Sequence, residues 1–229
     1  MNSYQIVPIY EDNHLLIVNK PVGLLVQGDA SGDETIADVA RVFLREKYNK
    51  PGNIFCGIVH RLDRPVSGVV VLAKTSKGLE RMNALFKTRH IQKIYWAVVE
   101  QKPKYLEGTL IHWLVKDQQR NFVKAFPKEV AGSQVAQLSY TYIKSVGNFH
   151  LLEVKPLTGR SHQIRVQLAS MGCVIVGDLK YGAKAANADA GICLHARQLI
   201  FEHPIKLEQI NVMAELPLKH AVWDKFNLI

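Results

Sequence analysis

Short apolar and β-branched blocks recur along the chain, separated by Pro, Gly, Asn and Asp, which is the pattern of strands joined by turns. Residues 6–10 and 14–18 read as two strands around the turn Glu11-Asp12-Asn13, and Asn19-Lys20-Pro21-Val22-Gly23 then breaks the run. A further short strand is predicted at 24–26, followed by a polar loop over 27–34. Thr35 caps a predicted helix through Tyr48, with Ile36, Val39, Ala40, Phe43 and Leu44 at helical spacing. Pro51-Gly52 ends that unit, and strands are predicted over 54–59 and 69–73.

Thr75 stands at a second N-cap, and Leu79, Met82, Leu85 and Phe86 give an apolar helix face to about Thr88. Residues 90–99 form a predicted strand in which Lys93, Tyr95 and Ala97 share a face. A strand over 106–115 leads into a basic and aromatic hairpin over 116–132, where Lys116, Arg120, Lys124 and Lys128 alternate with Phe122 and Phe126. That mixture suits contact with a phosphate backbone and stacking on a base, or equally a solvated hairpin. Residues 134–145 and 149–155 read as a paired hairpin around Val146-Gly147-Asn148. A turn at Thr158-Gly159 then opens a helix with Ile164, Leu168 and Met171 on its apolar face. His162 and Arg165, three apart, share a face near its start, where backbone amides favour an anion. Closing strands are expected over 192–201 and 205–213, a mobile loop of small residues over 184–191, and a short helix over 218–226. No internal repeat, linker or low-complexity segment interrupts the chain, so residues 1–229 are read as one domain.

One stretch departs from this alternation. Between two core strands, Val59-His60-Arg61-Leu62-Asp63-Arg64-Pro65-Val66-Ser67-Gly68 collects a His, two Arg and one carboxylate in a loop with a rigid base. Arg61 and Arg64 flank Asp63 with positive charge, which favours its ionised form. Two readings stay open on these residues alone: a turn whose Asp caps backbone amides, and a positioned carboxylate nucleophile or base.

Composition narrows the class. The chain has 229 residues with 48% hydrophobic and 21% charged, ordinary for a globular protein, and no apolar run long enough to span a bilayer. Residues 1–5 carry no signal-peptide pattern, and Cys56, Cys173 and Cys193 are odd in number, scattered and in apolar company. They read as reduced core thiols in a cytoplasmic protein. A net charge of +9 suits a polyanionic partner such as nucleic acid. There is no Walker-type phosphate loop, no G-x-G-x-x-G, no H-E-x-x-H, no paired Cys motif and no G-x-S-x-G elbow. What remains is a lone carboxylate, a tyrosine on a strand, a helix-borne arginine and a basic surface.

These residues resemble the RluA branch of the pseudouridine synthases, which isomerise uridine to pseudouridine in RNA. The resemblance covers most of the chain. It is carried by Asn19-Lys20-Pro21-x-Gly23, His60-Arg61-Leu62-Asp63 with Ser67-Gly68, and Lys93-x-Tyr95-x-Ala97-x-Val99. Leu157-x-Gly159-Arg160-x-His162-Gln163-Ile164-Arg165, Gly177-Asp178, Tyr181-Gly182 and Leu194-His195-Ala196 continue it in the family's order. It implies an α+β fold with a mixed, largely antiparallel sheet flanked by helices and loops, an RNA-binding cleft, and neither a metal nor an organic cofactor. By position it assigns Asp63 as the nucleophile, attacking at base or ribose or assisting an elimination at the sugar. It assigns Tyr95 to stacking on the uracil and Arg165 to pairing with the catalytic Asp. His60, Arg61, Arg160 and His162 go to the substrate, with Arg61 filling the space left by a flipped base. Arg64-Pro65-Val66 departs from the usual Lys-Asp/Glu-Thr and resembles members that act on tRNA. The chain starts almost at the catalytic domain, which implies no small N-terminal RNA-binding domain. The partner implied is ribosomal RNA or tRNA, no membrane is implied, and a monomer is the default. The competing reading is a basic RNA-binding module that has lost catalysis.

Overall fold

The computed structural model describes residues 4–226. In chain order the strands begin with β1 (Pro8–Glu11), β2 (Leu15–Lys20), β3 (Gly57–Ile58) and β4 (Ser67–Ala73). They continue with β5 (Ile91–Val99), β6 (Glu107–Asp117), β7 (Phe122–Phe126), β8 (Gln134–Val146) and β9 (Phe149–Pro156), and close with β10 (Leu194–Glu202) and β11 (Gln209–Met213). The helices are α1 (Ile36–Tyr48), α2 (Ser76–Thr88) and α3 (Gln163–Ser170). The class is α+β, and no helix among the described residues is long and apolar enough to cross a membrane.

The chain folds into two compact units, each drawn from two stretches. The first takes the chain to Gln92 and returns for Ala196–Glu215; the second takes Lys93–His195 and the chain from Leu216.

In the first unit the strand order is β1-β2-β4-β10, with β11 on β10 and β3 on β4. The β1·β2, β2·β4, β3·β4 and β10·β11 ladders are antiparallel, and β2 pairs with β4 from Leu15↔Ala73 to Lys20↔Gly68. Leu15, Ile17, Val69, Val71, Leu199, Phe201 and Val212 share one buried cluster with Met82 of α2. α1 starts where expected, at a capping box: Thr35 Oγ1 accepts the Asp38 N–H and Asp38 Oδ2 accepts the Thr35 N–H. α2 starts at Thr75, whose hydroxyl accepts the Gly78 N–H at 3.1 Å.

Gly68 is the tightest point of this sheet. Its φ is +116°, and a Cβ there would lie 2.4 Å from the backbone oxygen of Ala196 in β10. Only glycine fits both conditions. Gly68→Ala is expected to lower stability by about 3 kcal/mol, read as a drop in the urea midpoint at unchanged m-value.

In the second unit the order is β5-β9-β8-β6-β7, with antiparallel β5·β9, β8·β9, β6·β8 and β6·β7 ladders. Val166 of α3 packs on Leu114, Val123 and Ala136. α3 therefore lies on the face of β6, β7 and β8 that carries those side chains.

Four expected elements differ. The strand predicted at 24–26 is a single parallel bridge, Leu25↔Thr35, because Pro21 and Gly23 turn the chain and leave three buried side chains as anchors. The strand over 54–59 shrinks to β3. The next ladder donor on β4, the Val71 N–H, is taken by His60 Nε2 at 3.0 Å, and pairing stops there. The strand over 205–213 starts only at Gln209, because the chain first makes a turn in which His203 Nδ1 accepts the N–H groups of Ile205 and Lys206. The C-terminal helix is a 3-10 turn, Trp223–Lys225, in which His220 Nδ1 accepts the Val222 and Trp223 N–H groups and Trp223 and Phe226 are buried. The expectation for residues 1–5 falls partly, and that for one domain over 1–229 at both ends, outside the described residues.

Candidate active site

In the first unit, the loop between β3 and β4 presents Asp63, which is partly exposed, on two buried anchors, Leu62 and Val66. The Val66 N–H returns to the Asp63 carbonyl at 3.0 Å and closes a tight turn. The loop is then stitched to the Pro21–Gly23 turn: the Gly23 N–H donates to the Arg64 carbonyl and Arg64 Nε donates to the Gly23 carbonyl, both at 3.0 Å. Arg64 also meets Asp33 at 2.8 Å, but both side chains are about half exposed, so this pair adds little.

Beneath the loop lies Lys20, fully buried. Its ammonium donates to the carbonyls of Pro21 and Leu24 at 2.9 Å and of Arg64 at 3.3 Å. An ammonium has three N–H donors, and three carbonyls take them. Burial pushes the Lys20 pKa down to about 7; attraction to Asp63 works against that shift, and repulsion from Arg64 adds to it. The charge of Asp63 is thus felt at the buried ammonium.

His60 stacks on Phe86, with ring centroids 4.7 Å apart. Since Nε2 accepts the Val71 N–H, the ring proton of the neutral form belongs on Nδ1. Arg61 is exposed and donates to Gln27 Oε1 at 3.0 Å. The two residues before Leu62 therefore differ: His60 is built into the strand edge, and Arg61 stands toward solvent.

In the second unit, Tyr95 sits on β5 opposite Val154. Two strand positions earlier, Lys93 Nζ reaches the Thr158 carbonyl at 3.5 Å, at the entrance to α3. That entrance is clamped. Thr158 Oγ1 accepts the Gln137 N–H at 2.9 Å and donates to Gln163 Oε1 at 2.7 Å, while Gln163 Oε1 also accepts the Arg160 N–H at 3.0 Å. Arg160 Nε donates to the Val135 carbonyl at 3.2 Å.

His162 occupies the N-cap of α3 with φ +50° and makes no side-chain cap. Its Nδ1 lies 2.9 Å from Tyr181 Oη, which already accepts the Val123 N–H at 3.1 Å. One turn into the helix, Arg165 Nε donates to Asp178 Oδ2 and Nη2 to Asp178 Oδ1, both at 2.7 Å. The two side chains are 6% and 1% exposed, so this side-on pair is desolvated on both members. The guanidinium carbon lies 5.1 Å from the Tyr181 ring centroid, and Phe122 stacks on the same ring at 5.0 Å. Phe122, for which the sequence left base stacking and a solvated hairpin equally open, thus packs on Tyr181 inside the unit.

The first unit gathers His60, Arg61 and Asp63 in one loop over Lys20. The second gathers Arg160, His162 and Arg165 at the start of α3 with Asp178 and Tyr181, and holds Tyr95 on β5. Three residues with evident positioning roles were given none by the sequence reading: Lys20, Asp178 and Tyr181. A signal for each was present, as a charged or aromatic residue beside Pro or Gly in Asn19-Lys20-Pro21, Gly177-Asp178 and Tyr181-Gly182.

Comparison with known proteins adds an independent line. The family model described as RNA pseudouridylate synthase matches residues 14–170, a span that includes Lys20, Asp63, Tyr95 and Arg165. An uncharacterized RNA pseudouridine synthase from Synechocystis is 34% identical, over 91% of this chain and 65% of its own length. The ribosomal large subunit pseudouridine synthase D of Zymomonas mobilis is 33% identical, over 94% of this chain and 72% of its own. The chain thus spans about two thirds of the length of these curated relatives. Among solved structures, human RNA pseudouridylate synthase domain containing 4 superposes with a TM-score of 0.76 at 28% identity, covering 92% of this chain and 88% of that one.

Proposed function

The chain belongs to the RNA pseudouridylate synthase family, and from that footing we propose that it isomerises uridine to pseudouridine in a structured RNA, with Asp63 as the reacting carboxylate. One observation carries the reading. Asp63 is presented by a loop whose backbone is fixed by a fully buried ammonium and by a reciprocal hydrogen-bond pair with the Pro21–Gly23 turn. A turn that merely capped amides would need no cation buried beneath it.

The reaction breaks the bond between ribose and ring nitrogen and makes one between ribose and ring carbon. A proton leaves that carbon and one is taken up at nitrogen. Nothing is oxidised or reduced, so the chemistry calls for no electron carrier. Asp63 assists departure of the base, whether by attack at base or ribose or by elimination at the sugar. Tyr95 offers a planar surface to the detached uracil. Arg165, locked by Asp178, supplies fixed positive charge to the reacting region. Arg160 and His162 contact the substrate near the start of α3. Arg61 fills the gap left by an extruded nucleotide, whose unstacking costs a few kcal/mol, roughly. His60, stacked and hydrogen-bonded, steadies the loop that meets the RNA. Three buried, unpaired thiols fit a reducing compartment, and burial pushes the most enclosed, Cys193, up to about 12. The cytoplasm is the place we assign.

Relatives named for the large ribosomal subunit make ribosomal RNA the first substrate to offer, with tRNA beside it. Nucleotide-resolution mapping of pseudouridine after incubation should show one or a few uridines converted by the wild type and none by Asp63→Asn. Equal conversion by both would remove Asp63 from the mechanism, and RNA binding without any conversion would leave a binding module.

A further inference from the structure

The first unit carries a second chemistry-bearing feature that the reaction does not use. At the opposite end of β4 from the Asp63 loop lies a shallow cleft of about 230 Å³ lined by Asn13, Tyr48, Lys50, Asn53, Phe55 and Lys74. That is smaller than the roughly 300–1,000 Å³ of sites that enclose a whole small ligand, and suits one base of a longer strand lying against its wall. Two of its side chains are large aromatics left open to water, Tyr48 at 44% and Phe55 at 47% exposure. Around the Tyr48 ring, the ammonium groups of Lys47, Lys50 and Lys74 stand 5.6, 5.5 and 4.8 Å from the centroid.

The charge there is not balanced. Glu11 is the carboxylate this cluster shares, accepting from Lys47 Nζ, Lys74 Nζ and Tyr48 Oη, each at 2.6 Å. Three ammonium groups against that one carboxylate leave two positive charges. Glu11 is almost wholly covered, whereas Lys47 stands half exposed and Lys50 is open to solvent. The face presented to water is therefore cationic and aromatic together, which is the pairing that takes a phosphate and a stacked base. Asn13 and Asn53 add side-chain amides able to donate to and accept from a base edge.

The sheet fixes where this cleft stands relative to the Asp63 loop. The turn at Asp63 leads into Ser67 and Lys74 follows Ala73, so the two sites cap opposite ends of β4. The same holds on β2, where Lys20 stands opposite Gly68 and Leu15, just after Asn13 and His14, stands opposite Ala73. From Ser67 to Ala73 a strand runs ~20 Å. A free mononucleotide would gain nothing from this spacing, whereas an RNA held at Asp63 would bring its flanking strand to the cleft.

We propose that the cleft at Tyr48, Phe55 and Lys50 is a second RNA-binding site, holding one nucleotide of the substrate's flanking strand ~20 Å from the Asp63 loop. The base lies against Tyr48 and Phe55, and its phosphate faces Lys50 and Lys47. The proposal rests on the reading of RNA as substrate.

The test is the double variant Lys50→Glu/Phe55→Ser, which touches neither the core nor the Asp63 loop. A structured RNA containing the converted uridine and its flanking strands should bind roughly tenfold more weakly. The slope of log Kd against log salt should fall by about one. KM for that RNA should rise with Kd, while kcat at saturating RNA stays that of the wild type. An unchanged Kd, or a fall in kcat at unchanged Kd, would overturn the proposal. Titration with uridine and adenosine monophosphates separates the sources: saturable nucleotide binding by the wild type, lost in the variant whose RNA affinity is intact, would assign the cleft to free nucleotides and overturn it too. RNA binding that weakens in the variant while even the wild type makes no pseudouridine would uphold this site and overturn the functional reading instead.

Discussion

Asp178→Ala is expected to cost roughly 3–5 kcal/mol of stability, because it withdraws the carboxylate that grips both nitrogens of a buried guanidinium. Arg165 is 6% exposed, and losing this partner leaves a desolvated charge that water reaches poorly. Turnover should fall by at least two orders of magnitude, since the guanidinium loses the contact that fixes its direction. Stability and activity then separate in the double variant Arg165→Met/Asp178→Leu. Replacing both charges by apolar groups should recover most of the lost stability, as buried pairs commonly exchange for hydrophobic contacts at little net cost. It should recover none of the turnover. Urea midpoints of the wild type, the single and the double variant decide the point. A double variant no more stable than Asp178→Ala would mean that the pair's surroundings, not its charge, set the cost.

Lys20→Met is the second large effect, and it carries a pH signature. Three backbone carbonyls around the Asp63 loop lose their donor, at roughly 1–3 kcal/mol each, partly offset because a charge no longer has to be buried. A net loss of about 3 kcal/mol at pH 6, where Lys20 is charged, follows, with kcat falling as the loop loosens. The pH dependence has a fixed sign. The folded pKa of Lys20 is pushed down to about 7 from an ordinary 10.5, so between those values the unfolded chain holds a proton that the folded chain has released. Stability gained this way is fully present above 10.5 and is lost as pH falls through 7. Measured against Lys20→Met, the wild type should therefore gain stability from pH 7 toward pH 10, by at most roughly 1.4 kcal/mol per unit. A flat difference across that window would show that Lys20 keeps its proton throughout.

Local patterns foretold the parts of the fold that local physics decides. α1 and α2 were legible because Thr35 and Thr75 cap them and their apolar positions recur at helical spacing. β4 was legible because Val69, Val70, Val71 and Leu72 form one β-branched and apolar run, and it is buried along its whole length. α3 was only half legible. Its expected apolar stripe of Ile164, Leu168 and Met171 does not describe it, since all six residues from Gln163 to Leu168 are buried. Gln163 is satisfied by Thr158, Arg165 is paired with Asp178, and the side-chain NH2 of Gln167 donates to the Leu110 and Ala136 carbonyls, while its buried Oε1 has no hydrogen-bond partner among the described residues. Those partners lie 5 to 57 positions away, so periodicity sees polar residues and assigns them to solvent. β3 failed for a related reason, as a side chain, His60, took a hydrogen bond that belongs to a backbone in any strand pattern. Lys20 was the hardest to place. A lysine between two apolar segments reads as a surface residue, and only the three carbonyls converging on it reveal its burial. For the site, the resemblance supplied roles for Asp63, Tyr95 and Arg165, and the structure supplied the scaffolding around each.

The division of the chain into two units, each made from separated stretches, has a consequence for synthesis on the ribosome. The amino-terminal unit is begun first, yet its sheet cannot be finished until Ala196–Glu215 has been translated, after all of Lys93–His195. At about 5–20 residues per second, some 100 intervening residues impose a wait of roughly 5–20 s. Until β10 arrives, β4, the most uniformly buried strand of the unit, has only β2 and the two-residue β3 beside it. A nascent chain at this stage offers an open, apolar strand edge for the longest part of its synthesis. The growing polypeptide is thus a natural client for a holding chaperone, and codon changes that slow translation between Lys93 and His195 should raise the insoluble fraction more than the same changes placed after Glu215.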